Sequence, residues 1–218
     1  MKANELQESQ DWMLARAGKF TASRATSLMA RTKSGYGAAR GDLLTLLAVE
    51  RLTGQCVPTY QNAAMQRGID MEAEARDAYS FETGCAVIEC GFIAHDTLPH
   101  TGASPDGLIG DIGMVEIKCP SNMEKHLEAI RSGAHAQEYR WQLQHQMLVT
   151  GREWVDAVSY DPRFPDGLQL AITRVHRDEA ATNELMHAIR IANEEVESIV
   201  SELRARMLAN NANRADAA

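Results

Sequence analysis

The chain has 218 residues, 44% hydrophobic and 24% charged, which fits one large soluble domain or two small ones with enough chain to bury a substantial core. No apolar run is long enough to cross a bilayer, and the polar, acidic stretch from Met1 to Glu8 reads as no secretory signal. A formal net charge of −8 argues at first sight against a nucleic-acid partner, and only the distribution of that charge can reopen the question.

Taken in chain order, Thr21-Ala22-Ser23-Arg24 offers hydroxyl caps to a helix over Ala25 to Arg31, and Lys33-Ser34-Gly35-Tyr36-Gly37 breaks it. A second helix runs from Gly41 to Leu52, with a leucine-rich core face between Leu43 and Val49 and Gly54 as its C-cap. A polar stretch, Gln55 to Gln61, leads to a third helix from about Ala63 to Thr83, ended by Gly84. The period then changes. Ala86 to Ile88 and Gly91 to Ala94 read as strand, Thr101 to Ile109 as a bulged strand or turn, and Met114 to Lys118 as a short strand that Pro120 stops. Helices follow over Ser121 to Arg131 and His135 to Val149. Strands over Trp154 to Tyr160 and Leu168 to Val175 are joined by a proline- and glycine-rich turn. A long helix from Asp178 to Leu208 and a frayed tail from Asn210 close the chain. The expected architecture is α/β (α+β): one domain over 1–218, with a mainly helical part at 1–84, a sheet core at 85–176 and a C-terminal helix at 177–209.

Charge is segregated along this order. From Trp12 to Gly41 there is no Asp or Glu, while Arg16, Lys19, Arg24, Arg31, Lys33 and Arg40 all fall there. From Asp178 to Glu202, seven acidic residues oppose Arg190 alone. This is compatible with two solvated faces of opposite sign, or with a basic surface for a polyanion. Cys56, Cys85, Cys90 and Cys119 include no Cys-x-x-Cys pair, which favours reduced cytosolic thiols over disulfides or an iron–sulfur cluster. The histidines are scattered without ligand spacing and read as structural or surface residues.

The informative stretch is Ser104-Pro105-Asp106-Gly107 followed by Val115-Glu116-Ile117-Lys118. Side chains alternate along a strand, so Glu116 and Lys118 share a face while Val115 and Ile117 point into the core. A carboxylate and an ammonium in an apolar strand suit either a solvated edge strand or a metal site. In the second case Asp106 joins Glu116 across a hairpin, giving the hard oxygen ligands that magnesium prefers, with Lys118 beside the attacking water. Such a site suits phosphodiester hydrolysis, where a cation polarises the phosphoryl group and a lysine offsets developing charge.

These blocks resemble the PD-(D/E)XK nuclease superfamily and, within it, the phage-type alkaline exonucleases related to the phage lambda enzyme. The likeness extends to Trp12 through Ser23 (Trp…Arg-x-Gly-x-x-Thr-Ala-Ser), Gly68 through Glu72, Ser104 through Leu108, Glu116 through Pro120, Gln142-Leu143-Gln144 and Tyr160 through Arg163, in order and correctly spaced. The resemblance implies a restriction-endonuclease-like core, with 1–84 binding the DNA end and 85–176 carrying catalysis. It implies that Asp106, Glu116 and the Ile117 carbonyl hold metal, that Glu72 helps with a second ion, that Lys118 is catalytic and that Gln142 supports the site. By the same resemblance Arg16, with Ser23, binds a 5′-phosphate, and Lys19, Arg31 and Lys33 contact DNA.

The implied activity is 5′→3′ digestion of one strand of linear duplex DNA to 5′-mononucleotides, leaving a 3′ overhang for strand annealing. Two Mg2+ ions, with Mn2+ able to substitute, a ring-shaped homotrimer, a phage-type single-strand annealing protein as partner and the cytoplasm of a bacterial host of a phage or prophage complete the expectation. Each residue also has a plainer reading. Glu72 suits an acidic helix surface, Arg16 can lie over the Trp12 ring, and Gln142, Gln144 and Gln146 can be exposed glutamines. An endonuclease of the same superfamily would share the site without needing the Arg16 anchor, and a catalytically silent DNA-binding module would not need Asp106, Glu116 or Lys118.

Overall fold

This computed structural model describes residues 10–33, 35–57 and 63–215, with side chains described from residue 66 to 214 in the last stretch. Ser34, residues 58–62 of the expected polar stretch and the segment from Met1 to Glu8 lie outside the described residues. Helix α1 (Gln10–Arg16) leads through Gly18 to the two-residue strand β1 (Phe20–Thr21), a 3-10 turn (Ala22–Arg24) and the short helix α2 (Ala25–Leu28). Thr21 makes no side-chain cap, so the expected hydroxyl capping there does not form. Strands β2 (Arg31–Thr32) and β3 (Gly35–Tyr36) make a small exposed hairpin where a plain break was expected. Helix α3 (Ala38–Thr53) ends at Gly54 in the left-handed conformation, and α4 (Ala63–Thr83) at Gly84 in the same way.

Of the expected strand at 86–88, only Ile88 pairs, as an isolated bridge to Leu108. Strands β4 (Ile93–Ala94) and β5 (Thr101–Ala103) join β1 in one three-stranded sheet, while β6 (Gly107–Ile109) joins a different one. The expected single bulged strand over Thr101 to Ile109 is therefore two strands in two sheets, turned at Pro105, whose ring removes a ladder donor. The main sheet has the order β6-β7-β8-β9, with β7 (Gly113–Lys118), β8 (Trp154–Tyr160) and β9 (Leu170–His176). β6 and β9 are antiparallel to their neighbours, whereas β7 and β8 are parallel. Parallel neighbours need a crossover, supplied by α5 (Met123–Ser132), α6 (Ala134–Glu138) and α7 (Arg140–Thr150). Asn122 caps α5 by accepting from the Glu124 amide, and Gly133 separates α5 from α6. The helix expected from His135 to Val149 is broken at Tyr139, whose backbone leaves the helical region.

The sheet is covered on both faces. On one side α4 packs Ala75 and Tyr79 against Val115, Ile117, Val158 and Tyr160. On the other, α6 and α7 pack Ala136, Leu143 and Met147 against Met114, Val155 and Ala157. A second core joins α2, α3 and α7 to the last helix, α8 (Glu179–Ala215), through Leu28, Leu43, Leu47, Leu148, Leu185, Ile189 and Val196. Helix α8 continues past Leu208 to Ala215, so the tail is not frayed there. It carries no glycine or proline to stop it and is rich in good helix formers.

The segregated charges meet across this second core. Arg31 reaches Glu184 at 3.6 Å, Arg40 forks onto Glu195 at 2.8 and 3.0 Å, and Arg51 reaches Glu197 at 2.6 Å. The basic segment and the acidic helix are thus partners in part and not two independent solvated faces. The partly exposed pairs add about 0–1 kcal/mol each.

Candidate active site

Strand β7 explains why a carboxylate can sit in the middle of the protein. It is flanked by β6 and β8, so it is not an edge strand, and Glu116 is only 3% exposed. The solvated-edge reading fails on that burial. The β6–β7 register pairs Gly107 with Val115, which brings Asp106 beside Glu116 at the mouth of the hairpin. Asp106 Oδ2 accepts from the Ile117 amide at 2.7 Å, locking the hairpin to the carboxylate. Gly107 makes room for Val87, whose Cγ1 would stand 2.1 Å from a Cβ there.

Glu116 is held from three directions. Lys118 Nζ donates to its Oε1 at 2.5 Å, Gln142 donates to the same oxygen, and Gln146 donates to Oε2 at 2.5 Å. Gln142 and Gln146 are four residues apart on α7 and so share a face. Gln144 and Gln146 are both fully buried, which overturns the reading of exposed glutamines. Gln144 faces elsewhere and ties α7 to His176 and Asp178. Gln146 was missed as a site residue, although its spacing from Gln142 was visible in the sequence.

The electrostatics are those of crowded negative charge. Burial holds the Asp106 carboxyl well above its ordinary range, and Glu116 and Glu72 push it the same way. Burial alone would depress the Lys118 ammonium, but Glu116 and Asp106 outweigh it, so the group stays charged beyond the usual lysine range. Lys118 also lies 5.0 Å from the centre of the Tyr139 ring. Glu72, on α4, is raised by burial and by Glu116, while Arg76 pulls it down. Arg76 bonds Glu72 at 2.6 Å and Glu89 at 2.7 Å, so Glu72 is not a free surface acid. Among the described residues no three His, Cys, Asp or Glu side chains converge as a complete metal cage. What converges is Asp106 with Glu116, with Glu72 within electrostatic reach.

Arg16 is linked to this region through its helix, α1. Its guanidinium lies 4.1 Å over the Trp12 ring and donates to Ser23 Oγ at 3.3 Å, so the stacking and the hydroxyl contact coexist. Burial, then Arg24, lowers its pKa to about 10, while Glu116 is near enough to act in the opposite sense. Trp12 Nε1 in turn donates to Ser104 Oγ at 3.1 Å, tying α1 to the residue two before Asp106. Lys19 is occupied locally, donating to the Ala15 carbonyl at 2.5 Å. Arg31 and Lys33 are exposed on the β2–β3 hairpin, and among the described residues no contact joins them to this cluster. The structure thus gathers Asp106, Glu116, Lys118 and Gln142, with Glu72 within electrostatic reach, and ties the helix that carries Arg16 to Ser104. It leaves the hairpin residues apart.

The chain from residue 11 to 153 matches the model of the YqaJ-like viral recombinase domain. An alkaline exonuclease, LHK-Exo, from Laribacter hongkongensis has a crystal structure that is 43% identical. The match covers 92% of this chain and 99% of that one, with a TM-score of 0.84. The same exonuclease in complex with dAMP matches to the same extent. A phage-related exonuclease from Haemophilus somnus 129PT shares the fold at 13% identity, covering 85% of this chain and 96% of that one, with a TM-score of 0.71. No curated protein matches the chain.

Proposed function

The chain belongs to the YqaJ-like viral recombinase family and is a nuclease, and from that premise we propose that it digests one strand of linear duplex DNA from a 5′ end. The observation that supports this reading is the cluster of Asp106, Glu116 and Lys118, with Arg16 carried on the helix that Trp12 ties to Ser104, two residues before Asp106. An anchor for a terminal phosphate beside a hydrolytic centre is what an exonuclease needs and an endonuclease does not. The products are 5′-mononucleotides and a 3′ overhang.

The donor set fits a hard divalent cation. Asp106 and Glu116 concentrate negative charge that Lys118 alone does not offset, and their oxygens, with the Ile117 carbonyl, are the ligand type Mg2+ takes while keeping several waters. A second ion would lie toward Glu72, which would then exchange Arg76 for metal, and Mn2+ would substitute for Mg2+. When bound, the metal supplies Lewis acidity toward the phosphate and makes water a better nucleophile near neutral pH. Lys118, fixed by Glu116, places a positive charge where the transition state becomes more negative. Gln142 holds Glu116 in place. Arg16, with Ser23, grips the 5′-phosphate with charge-assisted hydrogen bonds. Arg31 and Lys33 touch only the DNA backbone, with Lys19 closing the approach to Arg16.

Also by resemblance, the chain forms a ring-shaped homotrimer around DNA in the cytoplasm of a phage's bacterial host and hands its 3′ strand to a single-strand annealing protein. Among the described residues no helix is long and apolar enough to cross a membrane. The decisive experiment compares end-labelled linear duplex with closed circular duplex, each with Mg2+. Release of 5′-mononucleotides from the linear DNA alone is expected. Cleavage of the circle would establish the endonuclease, and binding without cleavage of either would establish a silent DNA-binding module.

A further inference from the structure

Gln146 has no part in the reading above. It is fully buried on α7, one turn beyond Gln142, and its Nε2 donates to Glu116 Oε2 at 2.5 Å. Its carbonyl Oε1 is buried with no hydrogen-bond partner among the described residues. An unmatched amide is unfavourable to bury, and an apolar side chain of similar length would fill the space without orphaning an oxygen. What glutamine supplies here, and leucine or methionine would not, is one donor aimed at one carboxylate oxygen.

The acceptor capacity of the two carboxylates shows what that donor does. A carboxylate offers about four lone-pair sites, two on each oxygen. On Glu116, Oε1 takes both Lys118 and Gln142, while among the described residues Oε2 takes Gln146 alone. Asp106 is engaged through Oδ2, by the Ile117 amide. Among the described residues, spare capacity therefore lies on Glu116 Oε2 but not Oε1, and on both Asp106 oxygens, most of it on Oδ1. We infer that Gln146 is a positioning residue that fixes the plane of Glu116, so that Oε2 is the oxygen presented to a divalent cation shared with Asp106. This rests on the metal-dependent reading proposed above. The two glutamines are then unequal. Without Gln142, Lys118 still holds Oε1; without Gln146, no described side chain holds Oε2.

The test is Mn2+ binding to the full chain by calorimetry for wild type, Gln146→Met, Gln146→Leu and Gln142→Met, with urea denaturation of each protein with and without Mn2+. Gln146→Met should weaken Mn2+ binding about tenfold or more, the usual consequence of removing a group that orients a ligand. Gln142→Met should weaken it less. A purely structural Gln146 would lower the stability of the metal-free protein and leave the Mn2+-induced gain at its wild-type size, because that gain depends on affinity alone. Methionine nearly preserves the volume of glutamine, so it carries the test should the leucine variant not fold. Wild-type affinity in Gln146→Met, or a larger loss in Gln142→Met, overturns the inference. A wild type that binds no Mn2+ overturns the metal reading itself. A wild type that binds Mn2+ and digests DNA beside an unaffected Gln146→Met overturns only the role of Gln146.

Discussion

Glu50 and Glu116 are both buried glutamates, 1% and 3% exposed, and their surroundings differ in kind. Glu50, on α3, receives Arg24 at 2.7 and 2.9 Å, the Gly18 amide at 2.8 Å and the Val57 amide at 3.2 Å. A whole guanidinium neutralises it, and its acceptor sites are filled. Glu116 receives two neutral amides and one lysine, and a second carboxylate, Asp106, stands beside it. The first arrangement is closed, and it pins the turn at Gly18, whose φ of +68° and 2.5 Å clearance from Arg51 Cγ leave no room for a side chain. The second is short of positive charge. A buried acid that is satisfied holds structure together; one left under-neutralised is poised for a cation.

Exchanging the charge at each site should break this comparison if it is wrong. Glu116→Gln, Asp106→Ala or Lys118→Ala should abolish digestion, by about a thousandfold or more, since a metal centre contributes several kcal/mol to the transition state. The folded state should survive Glu116→Gln, because the substitution relieves repulsion with Asp106. Glu50→Gln should do the reverse. It strands Arg24 and should cost about 3 kcal/mol or more in a urea titration, with lost activity tracking lost fold. Near-normal digestion by folded Glu116→Gln would sink the site assignment. The same pair can be separated by metal. Mg2+ or Mn2+ should support cleavage, Ca2+ should bind with little turnover, and excess chelator should stop the reaction without unfolding the protein. Full activity in chelator would end the metal reading.

A third buried group marks the far end of the scale. His145, next to Gln146 on α7, is fully buried. Burial, then His95, lowers its pKa from 6.5 to about 4, so it stays neutral in the folded state while the unfolded chain protonates. Its folded pKa lies below its unfolded one. Stability is therefore full above about pH 6.5 and declines as pH falls toward about 4, by roughly 2–3 kcal/mol over that window. His145→Leu should flatten this acid limb in urea titrations at stepped pH. An unchanged slope would show that other groups carry it.

The strand that carries the candidate site was legible because its chemistry conflicts with its setting. Glu116 and Lys118 between Met114, Val115 and Ile117 are out of place in a core strand, and Pro120 and Gly107 frame them. The helices over Ala38–Thr53 and Ala63–Thr83 were legible from their periodicity and closing glycines. What local patterns could not supply was pairing across distance. Nothing around Glu195 or Glu197 names Arg40 or Arg51 as partner, so the basic and acidic segments looked independent. Gln146 looked like surface because glutamine usually is, and only the packing of α7 on the sheet puts it beneath Glu116. Residues 86–88 had strand composition, but only Ile88 has a bridge partner.

Arg16 should show the smallest effect. Its helix ends at the turn that Glu50 and Arg51 clamp, and Trp12 ties that helix to Ser104, two residues before Asp106. If it anchors a 5′-phosphate, its planar fork matters, because two parallel hydrogen bonds discriminate a phosphorylated end from a hydroxyl end. The wild type should then digest the phosphorylated end faster, and Arg16→Ala should lose most of that preference, about tenfold in the ratio of initial rates, equivalent to ~1.4 kcal/mol. Arg16→Lys should recover only part of it, since a point charge replaces the fork. Loss of the Trp12 stack costs stability as well, about 0.5–1 kcal/mol, in either variant that removes the guanidinium. Rate on one end alone therefore cannot decide the matter, because a loosened α1 would slow both ends together. The ratio can, since a purely structural arginine scales both rates equally and leaves their quotient at the wild-type value. That outcome would place Arg16 with Glu50 among the groups that hold the turn, and would remove the feature that favours an exonuclease over an endonuclease.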